Sequence, residues 1–385
     1  MRMFVTRRIQ TQGLADRPVL SIVHALGDLS KRWSNRNYSF RRKAIRRLVL
    51  QSGFTEDMSH KLLDSLFKEL TTLKLIGLLK AEFKDPLVLD GFRRDAKTST
   101  WHRAQGPRVI THIFSGNVPN PSIVSFVLGM LVKSKNVGKV SSKDKGFLDI
   151  YLDSLKMVDC GLASGNSLLK ANNKKALERS IQASDLVVVY GDDRTLSEVR
   201  KMIPSKTRFI GYGHRVSFGI CLKETLTKRN LSKLARNAAT DIWMMDQRGC
   251  LSPAVIYLET GGEVSPLLFS QHVTKHLSRY GRWLTLYDDA VSDFPKICEG
   301  KVIHFQAFND IEKVYKKLKP IRLSLQSVAL EGNSVRRQGA ALRLAQLGIN
   351  RICRAGQMQN PPITWHHDGM PNLASWVRWT DLETR

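Results

Sequence analysis

The chain has 385 residues, 42% of them hydrophobic and 8% aromatic, and its 61 Lys and Arg against 34 Asp and Glu leave a formal charge of +27. That length supports dry cores in two or three domains, and no run of eighteen apolar residues marks a membrane span. A field of that sign attracts polyanions, whether nucleic acid, phosphorylated cofactors, coenzyme A or an acidic partner, and does not choose among them.

The N-terminus is basic, but no apolar stretch of signal-peptide type follows it. Residues 1–105 read as a mainly helical region. In it, Arg41, Arg42, Lys43, Arg46 and Arg47 alternate with Phe40, Ala44, Ile45 and Leu48, which predicts an amphipathic helix with a basic outer face. No zinc finger, RNP-like aromatic run or basic zipper accompanies it, so a solvated face is preferred to a nucleic-acid contact. Leu62, Leu63, Leu66, Phe67 and Leu70 form a core stripe.

From Gly106 the pattern changes to alternating strand and helix. Val109 to Phe114 predicts a strand ending at Ser115-Gly116-Asn117-Val118-Pro119, and Asn120-Pro121 starts a helix running through Leu131. Val137 to Ser141 predicts a second strand, with a helix from about Lys143. Asp185 to Tyr190 is a continuous apolar run suited to a strand buried on both faces. Thr195 and Glu198 read as a capping box for the next helix, which Pro204 ends, and Phe209-Ile210 opens another strand. This alternation predicts a doubly wound parallel sheet over 106–222.

A second α/β domain is expected over 223–347. Leu231, Leu234, Ala235, Ala238, Ala239 and Ile242 keep a helical period, and Ala254 to Leu258 predicts a strand after the turn containing Cys250. Strands follow at Val302 to Phe305 and Arg322 to Val328, with helices at Asp310 to Leu318 and Val335 to Leu347. Residues 348–385, rich in Pro, Gly and Trp, read as a wrapping segment.

Several motifs fail. Gly211-Tyr212-Gly213 lacks the third glycine of a dinucleotide fingerprint, and Gly138-Lys139 lacks the rest of a P-loop. His366-His367-Asp368 lacks the spacing of a known zinc site, so no metal is assigned. Five cysteines, widely spread and without a C-x-x-C pair, argue against a disulfide framework and for a reducing cytoplasm. Cys250 alone lies between a well-packed helix and a buried strand, where a thiol can be presented. A free cysteine is often an inert core residue; to react, it must ionise, and Arg248 or His214 is the expected source of a lowered pKa.

The stretches Ser115 to Pro119, Tyr212 to Gly219, Asp246 to Pro253 and Trp365-His366-His367-Asp368-Gly369, in that order, resemble the bacterial acyl-CoA reductase family. That family includes the fatty-acid reductase subunit of bacterial bioluminescence and falls within the aldehyde dehydrogenase superfamily. The resemblance implies an aldehyde-dehydrogenase-like α/β fold, with a doubly wound nucleotide-binding domain and an α/β catalytic domain that place Cys250 at the cleft between them. It further implies that Cys250 is the nucleophile, that Asn117 supplies an oxyanion-hole amide, and that Lys139, with Ser141 beside it, meets the cofactor ribose. Gly191 would let the backbone approach phosphate. His214 is a candidate for acid–base work or for activating Cys250, against the alternative of a core histidine. The superfamily's water-activating glutamate has no acidic counterpart in Ile210 to His214, which favours reductive release over hydrolysis.

The expected activity is therefore NADPH-dependent reduction of an acyl-CoA or acyl-protein thioester to an aldehyde, with NADH as the second cofactor choice. Lys143 or Arg194 would meet a 2′-phosphate. The acyl donor is expected to be acyl-CoA, an acyl carrier or a synthetase partner, and the protein a homo-oligomer. An acyl-phosphate or semialdehyde-type reductase, and a basic nucleic-acid-associated protein that has kept the fold, are the alternatives.

Overall fold

The apolar run at 186–190 and its neighbours build the first of two parallel sheets. The computed structural model describes residues 13–116, 120–141, 146–170, 173–295 and 301–383. It divides into two units. The first comprises Met1–Arg47, Phe67–Tyr212 and Asn372–Arg385, and the second Leu48–Leu66 and Gly213–Pro371.

In the first unit, five parallel strands lie in the order Asn166–Leu169, Lys135–Lys139, Val109–Ile113, Leu186–Tyr190 and Arg208–Tyr212. Because it is buried on both faces, Leu186–Tyr190 carries Val187, Val188 and Val189 in an unbroken apolar run, while its neighbour Val109–Ile113 sets buried, hydrogen-bonded Thr111 and His112 between Ile110 and Ile113. Ile113, Val187 and Val189 pack against Ile181 and Val199 from helices Lys174–Ala183 and Asp193–Met202. The chain builds outward from the central strand in one direction, then returns to its other side. The switch point lies where the carboxyl ends of Val109–Ile113 and Leu186–Tyr190 adjoin, the usual ligand crevice of such a sheet. A small antiparallel sheet, Arg93–Arg94, Trp101–Gln105 and Arg378–Leu382, joins the C-terminal segment to this unit.

In the second unit, six parallel strands lie in the order Leu284–Asp288, Val302–Phe308, Pro253–Glu259, Val216–Cys221, Leu325–Glu331 and Arg351–Cys353. Phe218, Ile220, Val255, Tyr257, Val328 and Leu330 form its core, with Val314, Leu318 and Leu344 from the covering helices. Its carboxyl edge is closed by ions. Arg336 donates to Glu224 at 2.7 Å and to both oxygens of buried Glu259 at 2.8 Å.

Several expectations shift. The strand expected at 137–141 spans Lys135–Lys139, and the one expected at 322–328 spans Leu325–Glu331, because residues 319–324 are taken up by a 3-10 turn. The capping-box pair does not cap: helix Asp193–Met202 starts earlier, with Asp192 accepting from the Thr195 N–H at 2.8 Å. Arg41 is not on the outer basic face. It is fully buried and donates to the Trp33 carbonyl at 2.8 Å. Val216–Cys221, on the first-domain side of the expected boundary at 222, pairs into the second sheet, so the change of sheet falls at 213. No described helix is long and apolar enough to cross a membrane.

Candidate active site

Strain and hydrogen bonds together build the turn that carries Cys250. After helix Lys228–Trp243, residues Met245, Asp246 and Gln247 take φ values of 57°, 50° and 57°. Three successive left-handed residues without a glycine cost about 1–2 kcal/mol each, so surrounding contacts must hold them. Gln247 does most of this. Its Nε2 donates to the carbonyls of Pro253 at 3.1 Å and Val302 at 2.8 Å, and its Oε1 accepts from the Val302 N–H at 3.0 Å. The Asp246 carboxylate pairs with Lys301 at 3.2 Å. Beyond the turn, Ser217 Oγ donates to the Cys250 carbonyl at 2.6 Å, and buried Gln359 donates to Ser252 Oγ at 3.0 Å. The backbone is pinned on both sides of Cys250 while the residue itself stays exposed.

Cys250 stands at the amino edge of the six-stranded sheet, just before Pro253–Glu259 begins. Ser217 pairs with Pro253 and Val216 with Leu325, so the starts of three strands gather there. Gln326, wholly buried, comes from the start of Leu325–Glu331. Asp368 comes from the C-terminal segment and accepts from Gln326 Nε2 at 3.0 Å, while Arg215 pairs with its other oxygen at 2.8 Å.

These neighbours set the charge of the thiol. Burial of the thiol first, and the Asp368 carboxylate second, push it up to about 11, against the pull of its own N–H, Gln326 and Arg215. At rest Cys250 is a thiol. The expected lowering by Arg248 or His214 is therefore corrected. Arg248 is turned to other partners, donating to the Ser52 carbonyl at 2.6 Å and lying over the Phe54 ring at 5.2 Å. His214 is exposed, and its ring has no hydrogen-bond partner among the described residues. Asp368 is an acid acting on Cys250 that lies far in sequence from the stretch 210–214. Its side chain is 4% exposed and engaged by Arg215 and Gln326, so it is not open to activate water.

The first unit offers a separate edge. Lys139 ends its strand beside the central one, where the Phe114 N–H donates to its carbonyl at 3.0 Å. Its half-buried side chain makes no hydrogen bond or ion pair among the described residues. Ser141 follows, half-buried. The rings of Phe114, Tyr190 and Tyr212 stack across this edge at 5.6 and 4.7 Å. An uncommitted cation at a switch point fits an anionic or ribose-bearing cofactor. Gly191 is explained otherwise: its N–H donates to the Tyr212 carbonyl at 3.1 Å, and a Cβ there would stand 2.9 Å from the Thr195 side chain. The glycine answers to packing, its N–H is not open to phosphate, and Asp192 already occupies the start of the next helix. Asn117 and Lys143 lie outside the described residues.

The family model described as Acyl-CoA reductase (LuxC) matches residues 14–283 and 280–379. A long-chain acyl-protein thioester reductase of Aliivibrio fischeri is 24% identical over 68% of this chain and 54% of its own length. One from Photorhabdus luminescens is 27% identical over 94% of this chain and 82% of its own. The chain thus spans about half of the first relative and four-fifths of the second. Among solved structures, a salicylaldehyde dehydrogenase from Pseudomonas putida G7 superposes with a TM-score of 0.71 at 10% identity, covering 97% of this chain and 87% of that one. The fold is that of an aldehyde dehydrogenase.

Proposed function

The chain belongs to the acyl-CoA reductase (LuxC) family, and from that premise we propose that it reduces an activated long-chain acyl group to the aldehyde through a thioester on Cys250, with NADPH as reductant. The observation that carries this reading is the exposed residue Cys250 following a strained turn pinned by Gln247 and Ser217. Strain of this kind persists where the surroundings over-determine it, and it clusters at reactive sites.

The steps follow from the residues. Cys250 loses its proton, and its sulfur attacks the acyl carbonyl; the donor's thiolate leaves and takes up a proton, and the acyl group remains on Cys250. The backbone N–H of Cys250, already directed at its own sulfur, is one donor for the developing oxyanion. Asn117 is proposed as the second, on the resemblance alone. A reduced nicotinamide, when bound, supplies a hydride to the thioester carbonyl. The carbon–sulfur bond then breaks, the aldehyde forms, and Cys250 departs as thiolate. Lys139, with Ser141 beside it, would hold the cofactor through its ribose and phosphates. Arg194 is offered to a 2′-phosphate because its present partner is Glu198 on the same exposed helix face, a contact weak in water. NADH is the second choice. His214 stays a candidate for handling the proton.

Acyl-CoA, an acyl carrier or a synthetase partner are the proposed donors, in a reducing cytoplasm and with the enzyme as a homo-oligomer. The test incubates the protein with radiolabelled long-chain acyl-CoA, with and without NADPH. Label is expected on wild type, none on Cys250→Ala, and its release as aldehyde once NADPH is added. Equal labelling of both proteins would overturn the mechanism. Labelling by an acyl phosphate but not by a thioester would move the activity to the acyl-phosphate class.

A further inference from the structure

Between Glu263 and Asp288 the chain has no acidic residue, yet Lys275, Arg279 and Arg282 follow one another through helix Pro266–Leu277 and the turn beyond it. All three are exposed, and their side chains make no hydrogen bond or ion pair among the described residues. The same holds for Arg236 on helix Lys228–Trp243, which packs against Pro266–Leu277. Other surface cations find an acid one turn away, as Arg194 finds Glu198 and Lys174 finds Glu178. Burial first, then Arg279, Arg236, His272 and Lys275, hold His276 below its usual pKa, as charges sharing one field would.

An aromatic ring stands among these cations. Trp243 lies two turns after Arg236, on the same face of its helix. Tyr280, 37% exposed, lays one face on the buried Trp243 indole at 4.1 Å with the planes 10° apart. Its other face meets no ring among the described residues. Gly281 follows at φ 114°, a conformation that glycine adopts without strain. Lys301 lies over the ring of Trp283 at 5.7 Å and pairs with Asp246 at 3.2 Å, so this turn is joined to the strained one before Cys250. Cys250 follows Trp243 by seven residues, which holds the two within about 25 Å of each other.

We propose that Tyr280, with Arg236, Lys275, Arg279 and Arg282, receives the adenosine phosphate head of coenzyme A, so that the donor presented to Cys250 is an acyl-CoA. This deepens the proposed reaction and rests on Cys250 being its nucleophile. A base stacks on an aromatic face whatever its identity, and a guanidinium takes phosphate oxygens in pairs. One exposed ring in the cluster suits a single base, whereas a nucleic-acid strand uses successive rings along a groove. The free cations answer the 3′-phosphate and the pyrophosphate of the head, and the pantetheine arm covers the distance to the thiol.

Binding is read by calorimetry on Cys250→Ala, which cannot be acylated, with coenzyme A, dephospho-coenzyme A, NADPH and single-stranded oligodeoxythymidylate. Coenzyme A is expected to bind about tenfold more tightly than dephospho-coenzyme A, which lacks the 3′-phosphate. Adding Arg279→Gln and Arg282→Gln is expected to weaken coenzyme A about tenfold and to remove that preference. Tyr280→Ala is expected to weaken both ligands, and Tyr280→Phe to retain them. If Tyr280→Ala fails to fold by circular dichroism, the arginine pair decides. Equal affinity for coenzyme A with and without the two arginines overturns the proposal. An equal loss of NADPH binding in the arginine variant, or displacement of coenzyme A by the oligonucleotide, assigns the surface to another polyanion and also overturns it. Acylation of the protein with Cys250 intact is then compared between acyl-CoA and acyl-pantetheine at low concentration. A preference for acyl-CoA that falls about tenfold with the two arginines supports the proposal. Arginine-dependent binding of coenzyme A without acylation would support the surface and overturn the reaction, and acylation at Cys250 without that preference would do the reverse.

Discussion

Cys250 is exposed and yet protonated at rest, and this combination sets how its chemistry depends on pH. With the thiol pushed up to about 11, roughly one molecule in ten thousand carries a thiolate at pH 7. The rate of acylation from a thioester donor is therefore expected to rise about tenfold per pH unit between 7 and 10. A plateau below pH 8, measured by quenched-flow acylation, would show that binding of the donor itself ionises the sulfur. Its place between a packed helix and a buried strand showed only that Cys250 could be presented, and the family resemblance made it the candidate nucleophile. Its charge was not legible, because Arg215, Gln326 and Asp368 lie far from it in the chain and come together only when three strand starts and the C-terminal segment converge.

Among the elements, the turn at 245–247 decides where Cys250 sits. Its left-handed residues are Met, Asp and Gln, none of which announces such a conformation as glycine would. Gln247 compensates by bonding both to the strand that follows the turn and to its neighbour, the first through Pro253 and the second through Val302. Replacing Gln247 by Ala leaves these backbone groups unmet and should cost about 1–3 kcal/mol. The expected outcome is a lower melting temperature by calorimetry and a fall in acylation rate larger than the change in donor binding. The helices and buried strands around this turn follow from apolar periodicity, as Leu234, Ala238 and Ile242 show on helix Lys228–Trp243. Val216–Cys221 was not legible as a strand because Ser217 and Gly219 break its apolar run, although every residue of it is buried.

At the scale of the whole molecule, stability is tied to a buried acid near the site. Asp241 is 2% exposed and accepts from the N–H groups of Gly356 and Met358 at 2.6 and 2.9 Å, fastening the C-terminal segment to helix Lys228–Trp243. Burial outweighs these bonds and pushes its carboxyl up to about 7. The folded state thus holds a proton that the unfolded chain releases near pH 4. Folding is favoured below that pH, and the contribution is lost as pH rises through about 7, by an amount on the order of a few kcal/mol. Relative to Asp241→Asn, wild type should lose stability in urea melts between pH 4 and 8; equal slopes for both proteins would remove Asp241 from this role.

The sequence by itself determined the alternation of strand and helix, most of the apolar strands and a cysteine placed to be presented, because those depend on local periodicity and on neighbours a few residues away. Family motifs added the expected reaction and the expectation of a nicotinamide cofactor. The tertiary structure alone decided which charges act on the thiol, that Gly191 serves packing against Thr195, that Arg41 turns inward, and that Cys250 stands at the amino edge of the second sheet while ions close the carboxyl edge. Each of these depends on groups distant in sequence meeting across a buried surface. Hydrogen-bond geometry and burial choose such partners, and local pattern does not record them.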